Sequence, residues 1–472
     1  MKGLAFILLL LVGFPSMAMA QTPTKENICP AQLGAAMDAI ANRPQFRRDR
    51  WGILIQTLST GENLYSREAK KYFIPASNVK LLTTAAALQK FGSQFRIRTS
   101  IYGNSNGSLY VVGRGDPSIS ETQLKDLAKQ LKKRGINQVN QLIADDSYFS
   151  GRQINPTWES ADIQAGYGAP INSLIFNENA IKLILSPQSI GQPLRVNFAD
   201  ATQANQWQVE NNSLTVGQNN SEFVDVGRNL SQQVIQVRGN LRVGSDSEPV
   251  YVSVINPANN FLQQFRRILI GEGINVKQAL VAANSQLPTQ ELAAIESPIM
   301  ADLVKETNQE SVNIYAEVLL RLLSKVSSNN QDEIGLKELK SVLTQLGVNP
   351  HGFVLVDGSG LSRQNLVSPE AFVQTLRLMA KSPMASIYRN SLPVAGVSGT
   401  LKKRFKNTLA QGIVQAKTGY LTGASALSGY VNVPNFEPIV FSIIANKSDA
   451  SADEFGEAID DMVLLLTRLK RC

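Results

Sequence analysis

With 472 residues, 43% of them hydrophobic and 18% charged, the chain is too long for one core and too apolar for a disordered one. Two or three folded domains are expected. The formal net charge is +8, but Lys and Arg are dispersed, which argues against nucleic acid; the excess suits anionic cell-wall or membrane surfaces, or is merely solvated. One histidine and two cysteines without CxxC spacing leave no basis for a Cys/His zinc site, and no metal or cofactor is expected.

In chain order, Lys2, the apolar run from Leu8 to Val12 and the small residues Ala18 and Ala20 read as a signal peptide over 1–20. The run falls short of the roughly 20 apolar residues that span a bilayer. An exported protein, periplasmic or otherwise extracytoplasmic, is therefore expected. "MVLLL" near the end reads as part of a core helix, so membrane association is not expected. Cys29 and Cys472 stand near the two ends of the mature chain. In an oxidising compartment they form one bridge if the ends pack side by side, or else are two unrelated thiols.

"CPAQLGAAMDAIANR" reads as a helix, and "WGILIQTLSTGENLYSREAKKYF" as a β-hairpin about the turn "STGEN". A helix follows, entering at Pro75 and stopping at Gly92. From 98 to 290 short strand-like runs alternate with Asn/Gln/Gly/Ser-rich turns, most densely over 186–250, a candidate nested β-module. Helical periodicity resumes with "SPIMADLVKETN", "SVNIYAEVLLRLLSK", "EIGLKELKSVLTQLG" and "SPEAFVQTLRLMAK". Three strands ("GIVQAKTGYL", "SALSGYVNV", "PIVFSIIANK") and a last helix with acids early and bases late complete the chain. The early hairpin and the three late strands are expected to form one antiparallel sheet covered by helices. The parts are then 21–97 and 291–472, with 98–290 looped out as an inserted β-rich region of one or two domains.

Three short motifs carry chemistry. In "FIPASNVKLLTTAAAL", Ser77 and Lys80 share a helix face, with Cβ atoms about 5–6 Å apart. The helix has no polar face before Gln89, so the lysine is expected to be buried. Burial lowers a lysine's pKa and makes it a general base for the adjacent hydroxyl. Ser77 also falls in the first helical turn, where free N–H groups favour an oxyanion. "QESVNIYAE" places Ser311 and Asn313 at a helix–helix junction. The same Ser-x-Asn pattern recurs in "SSNN" at 327–330, evidently a loop, so it means nothing alone. "VQAKTGYLTGASALSGYV" puts Lys417, Thr418 and Gly419 on a strand, the cation and hydroxyl suited to a carboxylate and the glycine leaving the edge open. His351, in "NPHGF", reads as a structural turn residue.

Ser-x-x-Lys, a Ser-x-Asn and Lys-Thr-Gly in that order resemble the β-lactamase and penicillin-binding-protein signature. With "YGAPINSLIFNEN", "LVKETNQESVNIYAE" and "DGSGLSRQN", the chain more closely resembles the D-Ala-D-Ala carboxypeptidase/endopeptidase family of low-molecular-weight class C penicillin-binding proteins, peptidase family S13. The resemblance runs from 75 to 430, and the long gap between the first two motifs matches that family's inserted domains. It implies an α+β, β-lactamase/transpeptidase-like fold acting on peptidoglycan stem peptides through an acyl-enzyme, and acylation by β-lactams. It implies Ser77 as nucleophile, Lys80 as base, Ser311 and Lys417 as proton relay, Asn313 on the substrate amide and Thr418 on the terminal carboxylate. The N–H groups of Ser77 and Tyr420 become the oxyanion hole. Asp145 resembles a position that contacts a diaminopimelate amine, with Asp146 equally available and a turn role open to both. Val312 departs from the usual Asp. "DGSGLS" receives no role. A β-lactamase or esterase on the same scaffold, and a non-catalytic wall-binding protein, are the alternatives.

Overall fold

The computed structural model describes residues 27–283, 286–324, 332–446 and 452–472; the expected signal peptide and the "SSNN" repeat lie outside them. Helix α1 (Pro30–Ala41) is followed by the hairpin β1 (Arg50–Thr57) and β2 (Asn63–Arg67), then by α2 (Val79–Phe91). The insertion opens with β3 (Arg98–Gly103), β4 (Ser108–Val112), α3 (Glu121–Lys133) and β5 (Gln138–Asp145). It continues with β6 (Ala180–Ser186), β7 (Arg195–Phe198), β8 (Gln208–Val216), β9 (Phe223–Arg228), β10 (Val234–Arg242) and β11 (Glu248–Ser253). Then come α4 (Pro257–Gly271), β12 (Asn275–Ala282) and β13 (Gln290–Glu296). The helices α5 (Met300–Gln309), α6 (Asn313–Ser324) and α7 (Asp332–Leu346) follow. A small ribbon of β14 (Phe353–Val354) and β15 (Leu366–Val367) leads to α8 (Pro369–Ala380) and α9 (Ala385–Asn390). The chain closes with β16 (Val414–Leu421), β17 (Ala424–Val431), β18 (Ile439–Asn446) and α10 (Ala452–Leu466).

The expected sheet forms, in the order β16-β17-β18-β1-β2, antiparallel throughout. Its central strands β17 and β18 are buried along their whole length, as a sheet covered on both faces requires. On one face α1 and α10 pack through Leu33, Met37, Phe455 and Met462. On the other lies the larger core, built on α2, α5, α6, α7 and α8.

The insertion is less purely β than its texture suggests. Its main sheet, β12-β5-β4-β3-β13, pairs β5 in parallel with both β4 and β12. Helices α3 and α4 cover it through Leu124, Leu127, Leu131, Phe261 and Phe265. Strand β13 runs to Glu296, past the expected edge at 290, because it pairs with β3. Over 180–253, two three-stranded sheets (β11-β6-β7 and β8-β10-β9) share a small core of their own around Leu183, Ile235 and Val237.

Cys29 and Cys472 are bonded, with Cα atoms 5.8 Å apart and 443 residues between them in sequence. Ile28 N donates to Arg468 O and Lys470 N to Ile28 O, so the two ends already lie side by side. Replacing both cysteines by serine is expected to cost about 2–4 kcal/mol, because the bridge restricts a long unfolded loop. A fall in the urea midpoint, with cooperativity retained, measures it. Among the described residues no helix is long and apolar enough to cross a membrane.

Candidate active site

The chain reaches Ser77 through a strained turn. Ala76 lies in the left-handed region (φ +48°), and Ala76–Asn78 form a 3₁₀ turn before the α-helix begins at Val79. Ser77 therefore sits just ahead of the helix rather than in its first α-turn. Tight packing holds the turn: Asn78 Nδ2 donates to Ser428 Oγ of β17, which is also paired with Ser442 of β18. Every residue of α2 from Val79 to Leu88 is buried, Lys80 included, as the lack of a polar face required.

Lys80 Nζ donates to Ser77 Oγ at 2.9 Å, Asn313 Oδ1 at 2.6 Å and the Ser359 carbonyl at 2.7 Å. Burial pulls its pKa from 10.5 down to about 7, against the opposing pull of the Asp357 and Glu317 carboxylates. A neutral amine hydrogen-bonded to a serine hydroxyl at neutral pH is a general base in place.

Ser311 and Asn313 stand where α5 breaks into α6, with Ser311 at φ +63°. Left-handed non-glycine residues cluster at functional sites, and here two of the three motifs contain or adjoin one. Ser311 Oγ accepts from Lys417 Nζ at 2.8 Å. Lys417 also donates to the Thr418 carbonyl. Burial first, and the nearby charge of Lys80 second, hold its pKa well below normal. The Lys80 charge thus disfavours a second buried ammonium at Lys417. Asn313 is clamped from the far side as well, its Nδ2 donating to the Tyr167 carbonyl of the insertion. Val312, the departure from Asp, packs its side chain against the main core instead.

Strand β16 is an edge of its sheet, so Lys417–Tyr420 present a backbone margin on which an extended peptide can lie. Gly419 serves a different purpose from the expected one. A Cβ there would lie 2.6 Å from the Pro75 carbonyl and 3.1 Å from Asn78 N, so glycine lets the strand close onto the Ser77 turn. Thr418 Oγ1 is 2.8 Å from Thr400 Oγ1, giving two hydroxyls at one spot beside that edge.

Sequence reasoning missed the support behind Lys80. The "DGSGLS" segment, given no role above, is its cradle. Asp357 accepts from Gly360 N, Ser362 N, Asn365 Nδ2 and Trp158 Nε1, which folds the loop tightly. Glu317, one turn along α6 from Asn313, accepts from Gly358 N and Ser359 N. The Ser359 carbonyl is thereby turned toward Lys80, and the Gly358 carbonyl toward Thr83. Thr400 and Tyr167 were likewise unread.

Asp145 lies at the end of β5, buried, with its carboxylate accepting from the Ser147 N–H and hydroxyl. Asp146 is bound by Asn172 Nδ2, Ser173 N and Leu174 N. Both fill the turn roles left open for them, and neither lines the cleft of about 1160 Å³ that opens beside Ser311 and Asn313. His351 is exposed in its turn, its carbonyl accepting from the Tyr72 hydroxyl.

The model of the D-Ala-D-Ala carboxypeptidase 3 (S13) family matches residues 33–469. The chain is 32% identical over 440 residues to a D-alanyl-D-alanine carboxypeptidase of Actinomadura sp. (strain R39), covering 88% of this chain and 81% of that one. It is 30% identical over 465 residues to the penicillin-sensitive carboxypeptidase A of Dictyostelium discoideum, covering 89% and 87%. In fold it is similar to the crystal structure of penicillin binding protein 4 from Haemophilus influenzae, with TM-score 0.77, 24% identity, and 91% and 98% of the two chains covered.

Proposed function

As the chain belongs to the D-Ala-D-Ala carboxypeptidase 3 (S13) family, we propose that it is a serine-type D-Ala-D-Ala carboxypeptidase or DD-endopeptidase of peptidoglycan stem peptides, acylated by penicillin. The observation that carries this reading is the 2.9 Å bond from a buried Lys80, titrating near 7, to the Ser77 hydroxyl. Ser77 Oγ attacks the carbonyl between the two D-alanines as Lys80 Nζ takes its proton. The N–H groups of Ser77 and Tyr420 receive the oxyanion, each worth about 3–4 kcal/mol of barrier. The tetrahedral intermediate collapses as a proton passes through Lys417 and Ser311 to the leaving nitrogen. Water then attacks the ester, and the shortened peptide leaves.

Asn313 and the β16 edge hold the peptide on either side, and the hydroxyls of Thr418 and Thr400 receive the leaving residue's carboxylate. The support for these roles is geometric: Ser77, Asn313 and the Ser359 carbonyl, distant in sequence, all meet at Lys80 Nζ, and Lys417, bonded to Ser311, lies near enough to feel the Lys80 charge. The buried placement of Asp145 supports no amine contact for it, so none is proposed. The Cys29–Cys472 bridge favours an oxidising, extracytoplasmic compartment. Division into a catalytic part and an insertion over about 98–290 is part of the same reading.

Incubation with a fluorescent penicillin is expected to give a stoichiometric, long-lived adduct on Ser77 that Ser77→Ala lacks, read by gel and intact mass. Absence of the adduct on folded protein would overturn the peptidase mechanism. Release within seconds would mark a β-lactamase instead.

A further inference from the structure

A separate recess lies behind the site, between the 149–157 segment of the insertion, α6 and the start of α7. It holds about 320 Å³ and shares no lining residue with the cleft of about 1160 Å³ beside Ser311. Its walls are mainly Phe149, Ile154, Ile171, Leu320, Leu336 and Val356. Most polar groups along them are already engaged. Arg321 donates to the Ser150 and Arg152 carbonyls, Asn155 Nδ2 to the Val356 carbonyl, and Thr157 Oγ1 to Asn155 Oδ1.

Glu317, 5% exposed, stands in the same wall with acceptor capacity to spare. A carboxylate offers about four acceptor sites. Gly358 N and Ser359 N take two, both on Oε1, and the Ser359 hydroxyl lies close enough to favour the charged form. One further donor still fits. The charges around it are balanced, Lys80 and Arg321 standing against Glu317 and Asp357. An added cation would upset that balance, whereas a neutral donor would not. The volume is roughly twice the ~150 Å³ in which an engineered cavity holds one benzene ring. Apolar walls with one or a few well-placed polar groups are the usual make-up of a small-molecule site.

We propose that this recess is an effector site for an uncharged, apolar molecule of about two rings that donates one hydrogen bond to Glu317. Glu317 ties it to the reaction without touching the substrate. That residue holds the loop whose Ser359 carbonyl meets Lys80, and its charge, with that of Asp357, favours the protonated lysine. A donor on Glu317 draws on that charge, so occupancy frees the base and speeds acylation where the lysine is mostly protonated. The effect on rate rests on the peptidase reading; the binding does not.

The probes are 2-naphthol and its methyl ether, 2-methoxynaphthalene, which fills the same space without a donor. Calorimetry on the full chain is expected to show a single saturable site for 2-naphthol. The ether should bind about tenfold more weakly, the effect of one hydrogen bond to a charged group. Leu336→Trp on α7 and Ile154→Trp on the insertion fill the recess from two sides. Each should weaken binding by about tenfold or more while penicillin labelling of Ser77 persists. At about pH 6, below the Lys80 value of about 7, saturating 2-naphthol should raise the labelling rate about two- to threefold, and should leave it unchanged in Leu336→Trp. No saturable binding, equal affinity for the two probes, or binding that both variants leave intact would overturn the site. Binding without any change in rate would overturn its effector role. A folded chain that penicillin never labels would instead count against the peptidase reading, with the binding results still judging the recess.

Discussion

Replacing Lys80 with methionine is expected to slow acylation of Ser77 by about 10²–10⁴-fold, the range that a positioned general base supplies. Methionine fills the buried space but cannot take the serine proton. The pH dependence gives a sharper test. Acylation by penicillin should rise through about pH 7 as Lys80 loses its proton. Asp357 and Glu317 both raise the Lys80 pKa, so removing the Glu317 charge by Glu317→Gln should move that limb to lower pH. A limb that stays in place would deny Glu317 its electrostatic part. Stability carries the same signature. The folded value of Lys80 lies below its unfolded value of 10.5, so between about pH 7 and 10.5 the unfolded chain binds more protons. Folding stability contributed by this group therefore grows as pH rises through that window. Lys417, also lowered, adds a slope of the same sign, so Lys80→Met should flatten the rise without removing it. Urea unfolding at pH 7 and pH 9 measures the difference.

Gly360→Ala is expected to damage the site from behind. Gly360 has φ +84°, and a Cβ there would overlap the Ala76 carbonyl oxygen and press on Ser77 N at 3.1 Å. Neither the Ala76 turn nor the cradle loop has a flexible side chain to yield. Overpacking and a left-handed alanine together should cost about 2–5 kcal/mol. Displacement of the nucleophile by a fraction of an ångström to one ångström should slow acylation by about 10²-fold. Gly456→Ala in α10, where nothing lies within 4 Å of the added Cβ, is the control and should be neutral or stabilising by about 0.5–1 kcal/mol. Equal behaviour of the two variants in urea unfolding and penicillin labelling would contradict the argument.

The residues that could be read from sequence are those whose role is local. Ser77 and Lys80 share a helix face by spacing alone, and the apolar helix around them announces a buried lysine. The hairpin and the three late strands were legible from alternation and turns, and their joining into one sheet followed from the need to cover both. Helices α3 and α4 carried a readable signal, since Leu124, Leu127, Ala128 and Leu131 recur at helical spacing. The turn-rich surroundings concealed it. What had no local signal was the support. Asp357 and Glu317 act on Lys80 through backbone amides of another segment, and Thr400 matters only because a distant strand brings Thr418 beside it. Gly419 looked like clearance for a ligand and proved to be clearance for Pro75, because only the fold shows which neighbour comes closest.

The placement of β1 also sets an order of events in time. It lies between β2 and β18, pairing Ile53 with Ile443, so it keeps one bare margin until residues near 446 exist and are free to fold. The insertion's five-stranded sheet, by contrast, is complete once residue 296 is available. Contacts so remote in sequence form late and slowly. While the chain is being synthesised, Ser77 therefore stands without Lys417, without the Ser359 cradle and without a formed sheet around it. The Ser77 site is thus assembled only when the chain is nearly whole, so the last strands to be made are also the ones that complete it.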